Sequence, residues 1–385
     1  MTAGQNEIGI IGGGISGLLA CKYTLSKGFN PTVFESRDEV GGVWTKTIRT
    51  TKLQTPKSVY QFSDFPWPPS VAQDFPTQNQ VFEYIQSYAR HHDLLKYVKL
   101  NSRVVRVSYE DGPSEEEMWK WTLWGGTVPL EYLSQNRFLQ LLVHKPGEGI
   151  LSTITLVRWG ISKFVESHVR KKLRLAKRDM VPNHSFLKLC SVATLPEGFF
   201  DRVDQGSIIL KKAQRFSFCS QGVVVDGDTE PLKIDLLILA TGFRGMDKLK
   251  AAFIWPAFRD LIDKEDTTRL PLYRTCVHPR IPQLAFIGFS ESFANLFTSD
   301  MTCQWLAELL DGTLKLPSIK EMEKDVSQWD KYMKQSSGEY YSRYCLDAAQ
   351  IWYNDQLCKD MGWKTQRKKG FLRELFEPYR PMDYA

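Results

Sequence analysis

A short apolar run, Glu7-Ile-Gly-Ile-Ile-Gly12, opens the hydrophobic pattern and ends in glycine, as a strand buried in a parallel sheet does. Ile15, Leu18, Leu19 and Tyr23 then share one face of a helix predicted over residues 15–27, which Gly28 stops. Residues 31–35, Pro-Thr-Val-Phe-Glu, supply a second strand. Residues 45–76 break the regularity with prolines and aromatics, among them Phe65-Pro-Trp-Pro-Pro69. Thr77 and Gln80 are spaced as a capping box, and Val81, Tyr84, Ile85 and Tyr88 follow at helical intervals. Further strands are predicted at 103–109 and 118–123.

Beyond Trp124, up to about residue 215, the pattern is mostly helical or irregular. Gly222-Val-Val-Val-Asp-Gly-Asp228 then predicts a hairpin strand with an Asp-Gly turn. Residues 234–239 read as a buried strand running into Ala240-Thr-Gly-Phe243, and 284–288 as a last strand. A helix is predicted near 299–311, with Met301, Trp305 and Leu309 on one face and Gly312 behind it. The charged, aromatic remainder reads as helices packed on the outside.

Composition sets limits more than direction. Of the 385 residues 42% are hydrophobic and 24% charged, enough for a sizeable core without metal or disulfide staples. The net charge of +6 suits phosphate-bearing ligands but is too small and dispersed to point to nucleic acid. Seven scattered cysteines form no CxxC, which argues against a zinc site or a disulfide framework and for a reducing, cytoplasmic setting. No metal site is expected. The amino terminus lacks a signal-peptide pattern, and no run of about 18 apolar residues occurs, so no transmembrane segment is expected.

The candidate chemistry lies in the first turn. Gly12-Gly13-Gly14-Ile15-Ser16-Gly17 satisfies G-x-G-x-x-G between a strand and a helix. The first glycine permits the tight turn, the second lets backbone approach a pyrophosphate, and the third allows close helix packing. The free N–H groups of the helix then face the phosphates. Glu35 ends the next strand at the separation expected of an acid that binds a ribose diol. Ser16 has no catalytic partner at motif distance and reads as a phosphate-loop residue. Shortly after Glu35, Gly41-Gly42-Val43-Trp44 brings a second glycine pair, which a simple NAD domain does not need. FAD is therefore the expected occupant. Trp44 taken alone is equally a core tryptophan.

These motifs, with Leu53-Gln-Thr-Pro56, Phe62-Ser-Asp-Phe-Pro66, Ala240-Thr-Gly-Phe243, Pro271-Leu-Tyr-Arg274, His278-Pro-Arg-Ile-Pro282 and Glu374-Leu-Phe-Glu-Pro378, resemble the flavin-containing monooxygenases, closest to the plant pathogen-defence branch. The resemblance covers nearly the whole chain. It implies FAD contacts from Gly12, Gly13, Gly14, Ile15, Ser16, Gly17, Glu35, Gly42, Val43, Trp44, Gln54, Thr55, Thr241 and Gly242. The last two lie in a turn whose small residues either admit the cofactor or merely turn the chain tightly. At the position of Gln54 many members carry an asparagine near the reactive flavin. The glutamine keeps the amide, shifts it by one methylene, and is the single catalytic candidate.

The resemblance also implies a reaction. NADPH reduces the flavin, reduced flavin takes up O2 as a C4a-hydroperoxide, and this oxygenates an amine nitrogen or a sulfide of a small-molecule substrate. The cofactor carries the chemistry and the protein orients it. A second nucleotide site is implied too, with its own strand, G-x-G-x-x-G and helix for NADPH, after an F-x-G-x-x-x-H motif. Neither occurs in this sequence. Gly125-Gly126 runs into Pro129, Gly147-Glu-Gly149 follows His144-Lys-Pro146, and Gly222 opens a hairpin. The chain passes from 119–123 directly to Val128-Pro-Leu-Glu-Tyr-Leu133, whose counterpart in the family follows the NADPH motif. The simplest reading is an internal deletion on the order of a hundred residues, a domain's worth of chain, with its junction near Trp124.

The expected architecture is α/β. A Rossmann-like FAD-binding domain, a parallel sheet with helices, is built from 1–124 and 216–312. A mostly helical remnant of the NADPH region spans 125–215, and a helical tail spans 313–385. Two functions fit: a flavin-containing monooxygenase impaired by loss of its NADPH site, or a catalytically silent FAD-binding relic or interaction protein. The stretch 158–178 holds eight Lys/Arg against Glu166 alone, which reads as a solvated helix face more readily than as a membrane or 2′-phosphate contact. His91-His92 reads as a helix C-terminal contact more readily than as metal ligands.

Overall fold

The computed structural model describes residues 7–105 apart from Arg49, then Val107, Thr122–Gly125, Lys163, Ser167, most of 198–238, residues 270–337 apart from Pro282 and Phe293, Cys345, Leu346 and residues 349–384. Its strands are β1 (Glu7–Ile11), β2 (Asn30–Phe34), β3 (Val98–Lys99), β4 (Thr122–Gly125), β5 (Phe216–Cys219), β6 (Gly222–Val225) and β7 (Leu284–Ile287). Its helices are α1 (Ile15–Ser26), α2 (Gln78–His91), α3 (Phe199–Asp204), α4 (Asn295–Leu310), α5 (Ile319–Ser337), α6 (Gln350–Asp360) and α7 (Phe371–Phe376). By contacts the chain divides into two units, Met1–Ala193 with Lys250–Ala385, and Thr194–Leu249.

The larger unit holds a five-stranded sheet in the order β3-β2-β1-β4-β7, with every neighbouring pair parallel. This is the strand order of a Rossmann half-sheet. Winding reverses between β1 and β4, which leaves a crevice beyond their carboxyl ends. β1 and β2 run in register, Gly9 opposite Thr32 and Ile10 opposite Val33. α1 packs on β1, β2, β4 and α4. The core joins Ile8, Ile10 and Val33 of the sheet to Leu18 and Leu19 of α1 and to Met301, Trp305 and Leu306 of α4.

The aromatic segment before α2 is ordered by stacking. Phe62 lies on Tyr88 at 3.6 Å between ring centres and Trp67 on Tyr84 at 3.9 Å, while the Tyr84 hydroxyl accepts the Phe62 N–H and donates to the Phe65 carbonyl. The Thr77–Gln80 capping box forms as its spacing predicts.

Other expectations are corrected. The strand placed at 103–109 is irregular over 103–105, and the sheet edge is instead β3, paired parallel with Val33 and Phe34. α4 starts at Asn295, ahead of the expected 299, because the polar Asn295, Thr298 and Ser299 are buried rather than flanking. The tail is no outer layer. Leu346, Ile351, Tyr353, Leu357 and Tyr384 join the same core, and Arg274 pairs with Asp360 of α6 at 2.7 Å. Cys345 is disulfide-bonded, which the expectation of a reducing setting did not foresee, whereas Cys21, Cys219, Cys276, Cys303 and Cys358 are free.

In the smaller unit β6 pairs antiparallel with β5 through a two-residue turn at Ser220-Gln221, a strand the sequence pattern did not reveal. On its other side Val223 bridges Leu232, so Asp226 lies on the return connection where a turn was expected. The buried strand expected at 234–239 is corrected: Ile234, Leu236 and Ile238 are exposed, because no described strand of this unit pairs with them.

Candidate dinucleotide site

The site begins where β1 ends. Gly12 takes a φ of 104°, open to glycine and strained for other residues, and its N–H donates to the Phe34 carbonyl at 2.9 Å. The chain thereby turns tightly against β2 before α1 starts at Ile15. A methyl group on Gly17 would overlap the Gly12 carbonyl oxygen, so that helix and turn can meet only as backbone. Gly14 caps α1 without a side-chain hydrogen bond, and the first turn holds no acid. The first intrahelical bond runs from the Leu18 N–H to the Gly14 carbonyl, which leaves the amides before Leu18 to face an anion.

Glu35 stands at the end of β2, buried, with its carboxylate in this corner. One oxygen accepts the Gly13 N–H at 2.6 Å, and the other accepts the Arg37 N–H at 2.9 Å and the Ser36 hydroxyl at 3.2 Å. The acid is thus oriented by backbone on both sides. The second glycine turn closes over the first. The Gly41 N–H donates to the Gly13 carbonyl at 3.0 Å, Gly41 and Gly42 have φ of 137° and 60°, and Gly42–Thr45 forms a 3-10 turn. Arg37 ties the two parts together, its guanidinium donating to the Gly42 carbonyl at 2.7 Å and to the Thr45 hydroxyl.

These elements enclose a cavity of about 140 Å³ lined by Ile11, Gly12, Gly14, Ile15, Ser16, Gly17, Glu35, Gly41, Gly42, Val43 and Trp44. Nine residues singled out from the sequence therefore meet in one place. Ile11 and the tie from Arg37 were not among them, and Gly41, read in the second glycine pair, was not among the expected contacts; a cation two residues after Glu35 was the one sequence feature that pointed to Arg37. Gly13 turns its N–H to Glu35 and does not line the cavity. Trp44 has both readings at once: it lines the cavity, packs on the core and donates to the Tyr60 hydroxyl at 3.1 Å.

Gln54 and Thr55 stand apart from this lining. Gln54 is exposed, and Thr55 is fully buried with a hydroxyl that has no hydrogen-bond partner. The start of α2 holds this segment beside the glycine turn: the Gln78 N–H donates to the Thr51 carbonyl at 2.9 Å, and the Gln78 side-chain amide donates to the Trp44 carbonyl. Thr241 and Gly242 lie outside the described residues, as does the 158–178 basic stretch apart from Lys163 and Ser167.

A buried acid that sequence reading missed supports the site from behind. Asp300 of α4 accepts the Tyr23 hydroxyl of α1 at 2.5 Å and the Ser63 N–H at 3.1 Å. It joins α1 to the Phe62–Pro66 segment. An aspartate among Leu296, Phe297 and Met301 was its trace in the sequence. His91 lies in the last turn of α2 and His92 caps its end, as expected, and the His92 ring also lies 3.4 Å from Asp64, with burial lowering its basicity. Among the described residues no group of three His, Cys, Asp or Glu could hold a metal ion, and no helix is long and apolar enough to cross a membrane.

Fold and corner together define a Rossmann-type dinucleotide-binding protein, and the comparisons narrow the class. The sequence model described as "FMO-like: Flavin-binding monooxygenase-like" matches residues 5–125 and 128–374. The chain is 30% identical to "Probable flavin-containing monooxygenase 1" of Arabidopsis thaliana over 517 aligned positions, covering 99% of this chain and 96% of that one. It is 24% identical to "Flavin-containing monooxygenase 3" of Rattus norvegicus, covering 96% and 85%. The chain belongs to the flavin-binding monooxygenase-like family. Its fold is similar to S-allyl-L-cysteine S-oxygenase from Allium sativum, with a TM-score of 0.60 at 17% identity over 93% of this chain and 89% of that one. It is similar also to a steroid monooxygenase solved with NADP, with a TM-score of 0.61 at 14% identity over 93% and 98%.

Proposed function

We propose that this chain binds FAD at the Gly12–Gly17 corner as a flavin-dependent monooxygenase of the plant type, and that its reduction by NADPH is impaired. The observation that carries the cofactor assignment is that both glycine turns, the amino end of α1 and the Glu35 carboxylate line one cavity. At about 140 Å³ it suits the diphosphate region of a dinucleotide rather than the whole molecule. Side chains on Gly14 or Gly42 would press on the facing glycine, as expected of a cradle built from backbone. Glu35 would hold the ribose hydroxyls and the α1 amides the diphosphate. The unpartnered hydroxyl of Thr55 supports placing the flavin end toward Gln54 and Thr55, with the Gln54 amide beside the ring.

Once bound and reduced, FAD supplies the oxygen activation that transfers one oxygen atom to a nucleophilic nitrogen or sulfur of a small substrate. The residues of this chain bind and orient the cofactor, and no described side chain is assigned as acid or base. Impairment is supported by the alignment with the Arabidopsis relative. It spans 517 positions against a chain of 385 residues, so at least 132 of them have no residue here. The family match also breaks between Gly125 and Val128, beside the junction read at Trp124.

Anaerobic titration tests both parts. The purified chain is expected to retain or take up FAD, to bleach with dithionite, and to bleach only slowly with NADPH. Rapid bleaching by NADPH would refute impairment. Failure to bind FAD after reconstitution would refute the site.

A further inference from the structure

The last helix is inside out. Glu374 is buried, its carboxylate accepting the Tyr379 hydroxyl at 2.5 Å and the backbone N–H groups of Lys368 at 3.0 Å and Arg367 at 3.2 Å. With 3.6 residues per turn, anchoring Glu374 inward turns the opposite arc of α7, centred on Leu372 and Phe376, away from the protein. Leu372 and Phe376 are accordingly 69% and 51% exposed, and Phe371, at the start of the helix, is 76% exposed beside them. Burying an acid while exposing two adjacent large apolar side chains is the reverse of what a helix does when it packs for stability.

The charge around this arc is predominantly basic. Lys364, Lys369 and Arg380 are exposed, while the exposed Arg373 is paired with Glu377, which Lys368 also contacts. Glu374 is spent internally, and Asp383 is engaged by the buried Lys368. The one acid at the rim, Glu377, is held by Arg373 and Lys368, which leaves the segment a net excess of cations. Adjacent apolar side chains inside a fringe of cations fit the interface of an anionic bilayer, where the rings enter the acyl boundary and the cations meet lipid phosphates. We propose that the segment 364–382 docks this protein on anionic membrane surfaces as a peripheral contact. This goes beyond the cofactor reading and does not depend on it.

The test is co-sedimentation of the full chain with vesicles of pure phosphatidylcholine and with vesicles in which about one quarter is phosphatidylserine. Binding is expected on the anionic vesicles only, weakened by salt. The double substitution Phe371→Ser with Leu372→Ser is expected to lower it roughly tenfold or more, and Lys369→Glu severalfold, whereas Ile209→Ser, an equally exposed apolar site in the other unit, should leave it unchanged. All four substituted positions are exposed, and an unchanged thermal midpoint checks that each variant folds. Equal binding by the Phe371/Leu372 variant overturns the proposal, as does absence of binding to anionic vesicles. Self-association or capture of a protein that depends on Phe371 and Leu372, without vesicle binding, would reassign the face and also overturn it.

Discussion

Gly14 and Gly42 meet as bare backbone, and the contact is tight only on the Gly42 side. A methyl group on Gly42 would stand 3.0 Å from the Cα of Gly14, and one on Gly14 would stand 3.4 Å from the Cα of Gly42. The two glycine turns, 28 positions apart in sequence, are therefore built against each other as bare backbone, and their contact merges them into one cavity wall.

Alanine at these two sites separates fold from binding. Gly42 has a φ of 60°, so alanine there adds roughly 1 kcal/mol of left-handed strain to the steric contact. Gly42→Ala is expected to lower the thermal midpoint and weaken FAD together. Gly14 has a φ of −80°, and the contact from its methyl is only ordinary. Gly14→Ala should therefore melt close to wild type yet bind FAD roughly tenfold more weakly, because the methyl occupies the phosphate approach. Melting curves paired with flavin titrations check both, and equal behaviour of the two variants would contradict the cradle.

Asp300 is expected to act through structure. Asp300→Asn keeps the shape but replaces a charged acceptor with an amide, and the Tyr23 hydroxyl and Ser63 N–H then compete for one oxygen. Hydrogen bonds to charged groups contribute about 1.5–3 kcal/mol, so a loss of that order in unfolding free energy is expected by urea denaturation. A loss under about 0.5 kcal/mol would show that the buried carboxylate is dispensable.

How much of this was legible in the sequence follows from the range of the interactions. The β1–α1–β2 corner could be read because its determinants lie within thirty residues and each has a fixed role: glycines for the turn, apolar spacing for the helix, Glu35 at the strand end. The Thr77–Gln80 cap is equally local. Asp300, the Arg274–Asp360 pair and the inward Glu374 were not legible, because their partners come from distant segments and nothing local distinguishes a buried carboxylate from a solvated one. The apolar run at 234–239 misled for the converse reason: apolar spacing states what a strand needs, while burial depends on a neighbouring strand elsewhere in the chain.

Alkaline pH is expected to destabilise the fold. Burial holds the phenols of Tyr23, Tyr60, Tyr84 and Tyr88 well above the ordinary tyrosine value of 10.0, and Asp300 adds to the effect at Tyr23, Tyr84 and Tyr88. In the unfolded chain these groups lose protons as pH passes about 10, while the folded chain keeps them. The unfolded state then binds fewer protons, so stability is full below that pH and falls above it. Urea midpoints on either side of pH 10, with ultraviolet titration of tyrosinate, check this. Four phenols ionising in the ordinary range in the folded protein would contradict the buried placement.

The most direct measurement is equilibrium titration of flavin-free chain with FAD, comparing wild type with Glu35→Gln at matched folding. The glutamine retains one acceptor oxygen where three donors now converge, so ribose recognition should suffer while the sheet persists. One FAD per wild-type chain and at least tenfold weaker binding by the variant is the expected result. Wild-type affinity in Glu35→Gln, or no saturable binding by the wild type, would contradict the assignment of this corner to the cofactor.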